Sequence, residues 1–309
     1  MADPKKHHFS PVFYLKGWCD ANNTVVEYSR PYSQVVARNV PPTATGFKLF
    51  LYTMEGQPED KKQDIEKNYM GPIVDDRAAQ ALRILISDDK TALTGEMRSH
   101  WTRFLMASLL RRPLAVDQVV STFKEILKQN LAADATSYEV MKSEDDPPTA
   151  YEWLYENFPH HIDDRGKRAV IAGIEHQGIG DIIINMKWST LDMSKSKHDL
   201  LTSDMPHLRY YGLKDQRCTI IFPLNPTKLF IATHDRKAEA AILARSQTEV
   251  VKSVNDELAR LAERYVYGRT QDHLRFVENR LGRHPHPTRL EDRGTPAELC
   301  AKVGDGLTG

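Results

Sequence analysis

The spacing of apolar residues divides the chain into a strand-rich beginning, a helical middle and a mixed last third. Near the start, residues 24–28, 34–37 and 47–52 are rich in β-branched and aromatic side chains and are separated by turn residues, which is typical of strands. The first two runs flank Arg30-Pro31, so we expect a hairpin there. Later runs of the same kind occur at 188–191, 200–202, 218–222, 228–232 and 266–267.

Helical spacing dominates the middle of the chain. Gly71-Pro72 is expected to kink or split the first helical run, which covers 58–86. Thr94 is expected to cap a helix that ends at Arg111-Arg112, before Pro113. Further helices are predicted at about 116–131, 151–158, 164–187, 236–263 and 270–281.

Strands at both ends with helices between them predict an α+β fold. We expect a mixed or antiparallel sheet built from N-terminal and late strands, covered by the largely helical middle and C-terminal part. Residues 1–281 are predicted to form a single domain, with an acidic, proline-containing internal linker at about 143–149. Residues 282–309, rich in Gly, Pro, His and Arg, are predicted to be a mobile C-terminal tail.

The first eighteen residues combine a histidine pair, His7-His8, with an aromatic run that ends at Trp18. Chain termini are usually polar and poorly ordered, so this composition predicts a segment that docks into the body of the protein. Ser10-Pro11 has the pattern of a helix cap followed by proline at the first helical position. A short helix to about Lys16 should therefore hold His8 in a defined place.

Composition indicates an ordinary globular protein, with 40% hydrophobic and 27% charged residues. The 42 basic and 42 acidic side chains cancel, so overall charge gives no strong signal for binding to nucleic acid or to a membrane surface. No apolar run approaches the roughly 20 residues that span a bilayer. The three widely spaced cysteines predict neither a disulfide framework nor a zinc ribbon. A soluble cytoplasmic protein is therefore expected.

Several short motifs occur in a characteristic order. His8-Phe9-x-Pro11-x-x-Tyr14-Leu15 comes first, then Ile65-Glu66, Arg112-Pro113, Thr202-Ser203-Asp204-x-Pro206 and Phe222-Pro223-Leu224-x-Pro226. In this order they resemble the family known as domain of unknown function 4238, over roughly residues 5 to 270. The family has no assigned reaction, so the resemblance implies a fold and candidate site residues only.

His8 is the first candidate for chemistry, because a neutral imidazole serves as general base or metal ligand near pH 7. The alternative is a histidine that anchors the terminal segment by hydrogen bonds to the backbone. Asp204 follows a strand and is a candidate to bind a metal or orient His8, with Ser203 beside it. The same two residues before Met-Pro also fit an ordinary turn.

Glu66 is a candidate catalytic carboxylate, against the alternative of a solvated helix residue. Arg112 is a candidate clamp for a carboxylate or phosphate, or a helix-terminal cation that complements the dipole. The catalytic candidates are thus His8, Asp204 and Glu66. The candidates for substrate binding are Arg112, Ser203 and Tyr14, and Tyr14 also helps to hold His8. The cofactor is unknown: a divalent metal is possible, but the sequence has no nucleotide-binding motif.

Two functions from different classes remain open. The first is a hydrolase acting on a phosphate-containing substrate such as nucleic acid, with His8, Asp204 and Arg112 converging within about 8 Å in a cleft. The second is a non-catalytic binding or regulatory module in which the same residues are structural. His160-His161-x-Asp163-Asp164 has the composition of a metal site, but its acids are also typical of a helix start.

Overall fold

The computed structural model describes residues 4–87 and 89–282. Within these residues the strands form three antiparallel sheets. The strands are β1 Lys6–His8, β2 Val25–Ser29, β3 Val36–Val40, β4 Phe47–Leu49, β5 Lys187–Asp192, β6 Thr202–Ser203, β7 Leu208–Tyr210, β8 Thr219–Asn225, β9 Lys228–Thr233 and β10 Tyr265–Gly268.

One four-stranded sheet joins the two ends of the fold, in the order β3-β2-β10-β6. Tyr265 pairs with Ser29, and Val266 pairs with Ser203 on the other side of β10. The β2–β3 hairpin around Arg30-Pro31 is present as expected. The prediction of an α+β fold with a sheet built from N-terminal and late strands is therefore confirmed.

A second four-stranded sheet, in the order β5-β9-β8-β7, contains only late strands. A third sheet is a ribbon in which β1 pairs with β4, placing His8 opposite Phe47. The N-terminal segment therefore does not enter the shared sheet. β4 is shorter than the predicted 47–52 because Phe50 turns the chain with a φ of 58°.

Helices fill the middle of the chain and return near its end. They are α1 Val12–Leu15, α2 Asp76–Ile86, α3 Gly95–Leu110, α4 Pro113–Ala133, α5 Ala135–Met141, α6 Ala150–Asn157, α7 His161–Ile174, α8 Gln177–Asn185, α9 Arg236–Leu243, α10 Gln247–Leu261 and α11 Leu274–Glu278. A π-helix, Ile65–Asp75, precedes α2 and contains Pro72.

Three helix expectations need correction. The predicted helix at 164–187 is divided into α7 and α8, because the His176 side chain caps a new helix, and β5 begins at Lys187. The predicted helix at 236–263 is divided into α9 and α10, because Ser246 and Glu249 form a capping box that starts a new helix. Ser10 does not cap α1: the N-cap position is Pro11, and no side chain caps the helix. The chain instead continues past α1 as a 3₁₀ turn through Trp18.

The N-terminal segment is docked through its aromatic side chains. Trp18 is fully buried and donates from its indole N–H to the Leu200 carbonyl at 2.8 Å. The Tyr14 ring packs against Trp18 and against Phe222 of β8, with ring centroids 5.0 and 5.3 Å apart. Aromatic pairs of this geometry add to the stabilisation from burial alone. The docking of this segment, predicted from its composition, is confirmed.

None of the described helices is both long and apolar enough to cross a membrane. Residues 142–149, between α5 and α6, form a loop in which the Ser143 N–H donates to the Asp146 carboxylate at 2.7 Å. The tail predicted from residue 282 lies, apart from Gly282, outside the described residues.

Candidate functional site

Arg111 is the centre of a buried cluster between α3 and α4. Its side chain is fully buried and donates two hydrogen bonds to the Asp75 carboxylate, at 2.7 and 3.1 Å. It donates a third, at 2.8 Å, to the His8 carbonyl oxygen. Burial acts to lower the pKa of Arg111, but the Asp75 carboxylate outweighs it and raises this pKa above its usual range. Arg111 therefore stays charged and ties β1 to the π-helix.

The π-helix explains how two of its acids reach one site. Glu66 and Asp75 lie nine positions apart. In an α-helix of 3.6 residues per turn this separation is about two and a half turns and places side chains on opposite faces. A π-helix has i→i+5 hydrogen bonds and about 4.4 residues per turn, so nine residues complete about two turns. The wider helix thus puts both carboxylates on the same side, toward Arg111.

Glu66 has a strongly perturbed carboxyl group. The pKa of Glu66 is raised to about 7, mainly by burial and also by the Asp75 charge, while Arg111 and the His8 backbone favour the ionised form. One carboxyl oxygen, Oε2, is buried and has no hydrogen-bond partner among the described residues. At neutral pH Glu66 is therefore present in both the protonated and the ionised form, and its Oε2 is not hydrogen-bonded to any described residue.

The backbone carbonyl of His8 is hydrogen-bonded, whereas one nitrogen of its ring is not. Its carbonyl accepts from Arg111, and its ring lies 5.6 Å from the Phe47 ring, centroid to centroid. Burial lowers the pKa of His8 to about 4; a hydrogen bond with the Thr43 backbone opposes this, and the charges of Arg111 and Lys6 add to it. The Nε2 atom is buried without a partner among the described residues. The imidazole is therefore neutral at pH 7.

His7 serves as an anchor. Its Nδ1 accepts from the Tyr52 backbone N–H at 2.9 Å, so its Nε2 carries the hydrogen that bonds the Pro4 carbonyl at 3.2 Å. The ring is buried and stacks on the Tyr52 ring with 5.6 Å between centroids. Burial lowers the pKa of His7, consistent with a neutral ring. His7 thus anchors the N-terminal segment through its ring.

Asp204 lies in a second cluster, beside the turn that joins α10 to β10. Its carboxylate accepts from three consecutive backbone amides, those of Glu263, Arg264 and Tyr265, at 2.9, 2.7 and 3.0 Å. Burial raises the pKa of Asp204 to about 7, although the Arg264 and Tyr265 amides and Arg112 favour the ionised form. These bonds shape the turn at the start of β10.

Arg112 contacts the same turn through Glu263. It forms an ion pair with Glu263, whose backbone N–H is one of the donors to Asp204. The carboxylate of Glu263 is largely buried, and the Arg112 side chain is 13% exposed. Arg112 therefore pairs with a carboxylate of the chain itself.

Ser203 and Tyr14 connect the remaining motifs. The Ser203 hydroxyl accepts from the Met205 N–H at 3.1 Å, as a turn residue does. The Tyr14 hydroxyl donates to the Pro223 carbonyl at 2.8 Å and lies 2.7 Å from the Thr202 hydroxyl. Tyr14 thus joins the N-terminal motif to two of the late ones.

The candidate residues form two neighbouring groups, joined by the Arg111-Arg112 dipeptide. One contains His8 and Glu66, together with Arg111 and Asp75; the other contains Arg112, Asp204 and Ser203, together with Glu263. Sequence reasoning missed Arg111, Asp75 and Glu263. Arg111 lies beside a motif residue, whereas Asp75 could be found only by recognising the π-helix.

Metal-ligating side chains are dispersed in the part of the chain that the structure describes. No group of three or more His, Cys, Asp or Glu residues there is placed to hold a metal ion. In the His160-His161-x-Asp163-Asp164 segment, Asp163 pairs with Lys124, and Asp164 accepts from the Gly56 N–H at 2.9 Å. We therefore assign no metal ligands.

Fold and site together define an α+β protein whose N-terminal strand is held against a buried arginine–carboxylate pair. The chain matches the family described as protein of unknown function, DUF4238, over residues 6–272. It belongs to that family, and the resemblance inferred from the ordered motifs is confirmed. No match was found among curated proteins or among solved structures.

Proposed function

We propose that the protein is a hydrolase in which Glu66 and His8 exchange protons with a phosphate-containing substrate such as nucleic acid. One observation carries this proposal: two residues beside Arg111 each keep a buried polar atom, Glu66 Oε2 and His8 Nε2, without a hydrogen-bond partner among the described residues. Buried polar atoms are nearly always satisfied, so such atoms mark positions where a substrate group or water belongs.

The protonation states of His8 and Glu66 suit them to act as base and acid, respectively. Nε2 of His8 has no hydrogen-bond partner among the described residues, and in the neutral tautomer with its hydrogen on Nδ1 this atom is an acceptor. Nε2 then has a lone pair and can take a proton from an attacking water. Glu66, with a pKa of about 7, can give a proton to the leaving oxygen. The pair supplies a base and an acid.

Positive charge beside His8 supports a phosphate-containing substrate. Arg111 and Lys6 both disfavour protonation of His8. Lys6 is exposed on the same face of β1 as His8, with its ammonium 4.5 Å from the Phe47 ring centroid. The positive field that keeps the imidazole neutral also favours the approach of an anion.

The other residues take positioning roles in this proposal. Arg111 and Asp75 hold the backbone of His8 and the side of the π-helix that carries Glu66. Asp204, Ser203 and Arg112 fix the turn before β10, and Tyr14 docks the N-terminal segment. We also propose the cytoplasm as the compartment, since widely spaced cysteines are common where thiols stay reduced.

A second candidate function is a non-catalytic binding or regulatory module. It is favoured by the contacts of Tyr14, Arg112 and Asp204, which bond to groups of the chain itself. In that case Glu66 and His8 have no proton to transfer, and their replacement leaves every hydrolytic activity unchanged.

Hydrolysis assays with the full chain distinguish the two candidates. Suitable substrates are bis(p-nitrophenyl) phosphate and single-stranded DNA and RNA oligonucleotides, each with and without Mg²⁺. We expect Glu66→Gln to lower turnover roughly 100-fold or more, the usual contribution of general acid–base catalysis. Glu59→Gln, which changes a glutamate that is 84% exposed, is the matched control and should keep full activity. The absence of turnover on all three substrates, or equal turnover by both variants, would contradict the proposal.

A further inference from the structure

A pocket of about 450 Å³ opens between the turn after β4 and helices α4 and α7. Its volume lies within the roughly 300–1,000 Å³ of small-molecule sites. Lys48 lines it and pairs with His7 across the ribbon, whereas His8 pairs with Phe47. Paired residues project to the same side and successive residues to opposite sides, so the pocket and His8 lie on different faces. The pocket is therefore separate from the Glu66–His8 pair.

The polar side of the pocket carries an excess of positive charge. Lys48, Lys124 and Lys167 line it, with two carboxylates, Asp117 and Asp163. Three ammonium groups against two carboxylates leave one positive charge. The Lys48–Asp117 pair is loose, with 3.8 Å between the charged atoms and both side chains about half exposed.

The two remaining lysines are positioned by neighbouring groups. Lys124 lies 2.5 Å from the Asp163 carboxylate, on a side chain that is about one-third exposed. Lys167 donates to the Thr53 carbonyl oxygen. An ammonium has three donors, so each of these side chains can also bond an anion in the pocket. The charge in the pocket is therefore both fixed in place and available.

Phe50 supplies an exposed ring under backbone strain. It adopts a φ of 58°, a region that aromatic residues rarely occupy, and is 47% exposed at the pocket lining. Its N–H donates to the Lys5 carbonyl at 3.0 Å, and its carbonyl accepts from the Thr53 N–H at 3.2 Å. Strain of this kind persists where the surroundings fix it and is concentrated at ligand sites.

We propose that this pocket binds a small aromatic anion. The aromatic ring packs against Phe50 and the apolar side of α4, where Val116 and Val120 line the pocket, while a single phosphate or carboxylate group meets Lys48 and Lys124. A bare inorganic anion leaves the apolar wall uncovered, and a neutral aromatic leaves the excess charge unmatched. The inference is independent of the proposed hydrolase, because it uses other residues on another face.

Calorimetric titration of the full chain tests the ligand class. Phenyl phosphate and phenylacetate present the two head groups, benzyl alcohol has the ring without charge, and inorganic phosphate has the charge without a ring. We expect at least one aromatic anion to bind saturably and about tenfold or more tighter than both benzyl alcohol and inorganic phosphate. The tighter of the two aromatic anions identifies the head group. Equal binding of all four, or no binding, overturns the proposal.

Three variants locate the binding to this pocket. Phe50→Gly removes the ring and fits the observed φ, so we expect unchanged or higher thermal stability with affinity about tenfold lower. Lys124→Gln should also lose affinity, whereas Lys128→Gln, an exposed lysine one turn further along α4, should bind as the wild type does. Wild-type affinity in both Phe50→Gly and Lys124→Gln overturns the assignment to this pocket.

Discussion

Arg111 donates two parallel hydrogen bonds, of 2.7 and 3.1 Å, to the carboxylate of Asp75, and its side chain is fully buried. The same guanidinium bonds the His8 carbonyl oxygen, so a helix end, a π-helix and the first strand meet at one charged group. Bidentate arginine–carboxylate pairs combine strength with fixed geometry. This pair determines where Glu66 and His8 lie.

Asp75→Asn is expected to destabilise the fold by about 3 kcal/mol, because it leaves the Arg111 charge buried without its counterion. Urea unfolding followed by circular dichroism measures the loss. Asp76→Asn, the adjacent exposed position, is the matched control and should lose less than about 1 kcal/mol. Equal stability of the two variants would show that the pair contributes little.

Asp204→Asn is expected to destabilise the turn before β10 by about 2 kcal/mol or more. In Asp204, one carboxylate oxygen accepts from the Arg264 and Tyr265 backbone N–H groups. In asparagine an NH₂ group, which cannot accept, replaces one of the two oxygens, so a donor would face a donor. Thermal unfolding tests this expectation, with Asp181→Asn, an exposed aspartate of α8, as control. Wild-type stability of Asp204→Asn would mean that the three amides do not depend on the charge.

His8→Asn and His8→Gln should separate anchoring from chemistry. The Asn amide keeps a polar group close to the position of the imidazole Nδ1, so we expect that variant to keep the wild-type melting temperature within a few degrees. Neither amide accepts a proton as imidazole does, so both variants should lose about 100-fold or more in turnover. His161→Asn, at an exposed position, serves as control. Full activity in His8→Asn would exclude a role for the imidazole as base.

Glu66→Gln should change how stability depends on pH. The unfolded chain releases the Glu66 proton near its ordinary pKa of about 4.3, whereas the folded protein holds it until about pH 7. The folded state therefore binds more protons between these values, and stability decreases as pH rises through this range. Burial lowers the pKa values of His8 and His7, so these histidines act in the opposite direction below about pH 6.5, and the comparison between variants isolates Glu66. A change from pH 8 to pH 5 should raise the melting temperature of the wild type relative to that of Glu66→Gln.

At pH 8 the Glu66→Gln variant should be at least as stable as the wild type, because a neutral amide replaces a half-buried charge. Asp204 contributes in the same direction, so some pH dependence should remain in the variant. A large loss of stability at both pH values would instead identify the Glu66 carboxylate as structural.

Much of the fold follows from local signals. Thr94 caps α3 as expected, and the Arg-Arg-Pro sequence ends that helix, since proline starts the next one. The division of 236–263 into two helices could also have been predicted, because Ser246 and Glu249 have the spacing of a capping box. β1 could not be predicted from local sequence, because a three-residue strand of Lys and His forms only by pairing with β4, which is distant in sequence.

The candidate site was also predictable only in part, because some of its residues lie in sequence motifs and others depend on the tertiary structure. His8 and Glu66 stand in ordered motifs, but their partner Asp75 depends on the π-helix, whose geometry is set by tertiary packing. Arg112 was chosen over Arg111, since sequence alone cannot show which of two adjacent arginines faces inward. In the structure both face inward: Arg111 is fully buried against Asp75, and Arg112, 13% exposed, pairs with Glu263.

The pH dependence of kcat/KM on the phosphate diester substrate tests the acid–base pair most directly. His8 must be neutral and Glu66 protonated, so activity should be bell-shaped, with limbs near pH 4 and pH 7 and a maximum near the middle of that range. In Glu66→Gln the limb near pH 7 should disappear along with most of the activity. A wild-type profile that stays flat between pH 5 and 8, or a limb near pH 7 that persists in Glu66→Gln, would contradict the assignment of Glu66 as the acid.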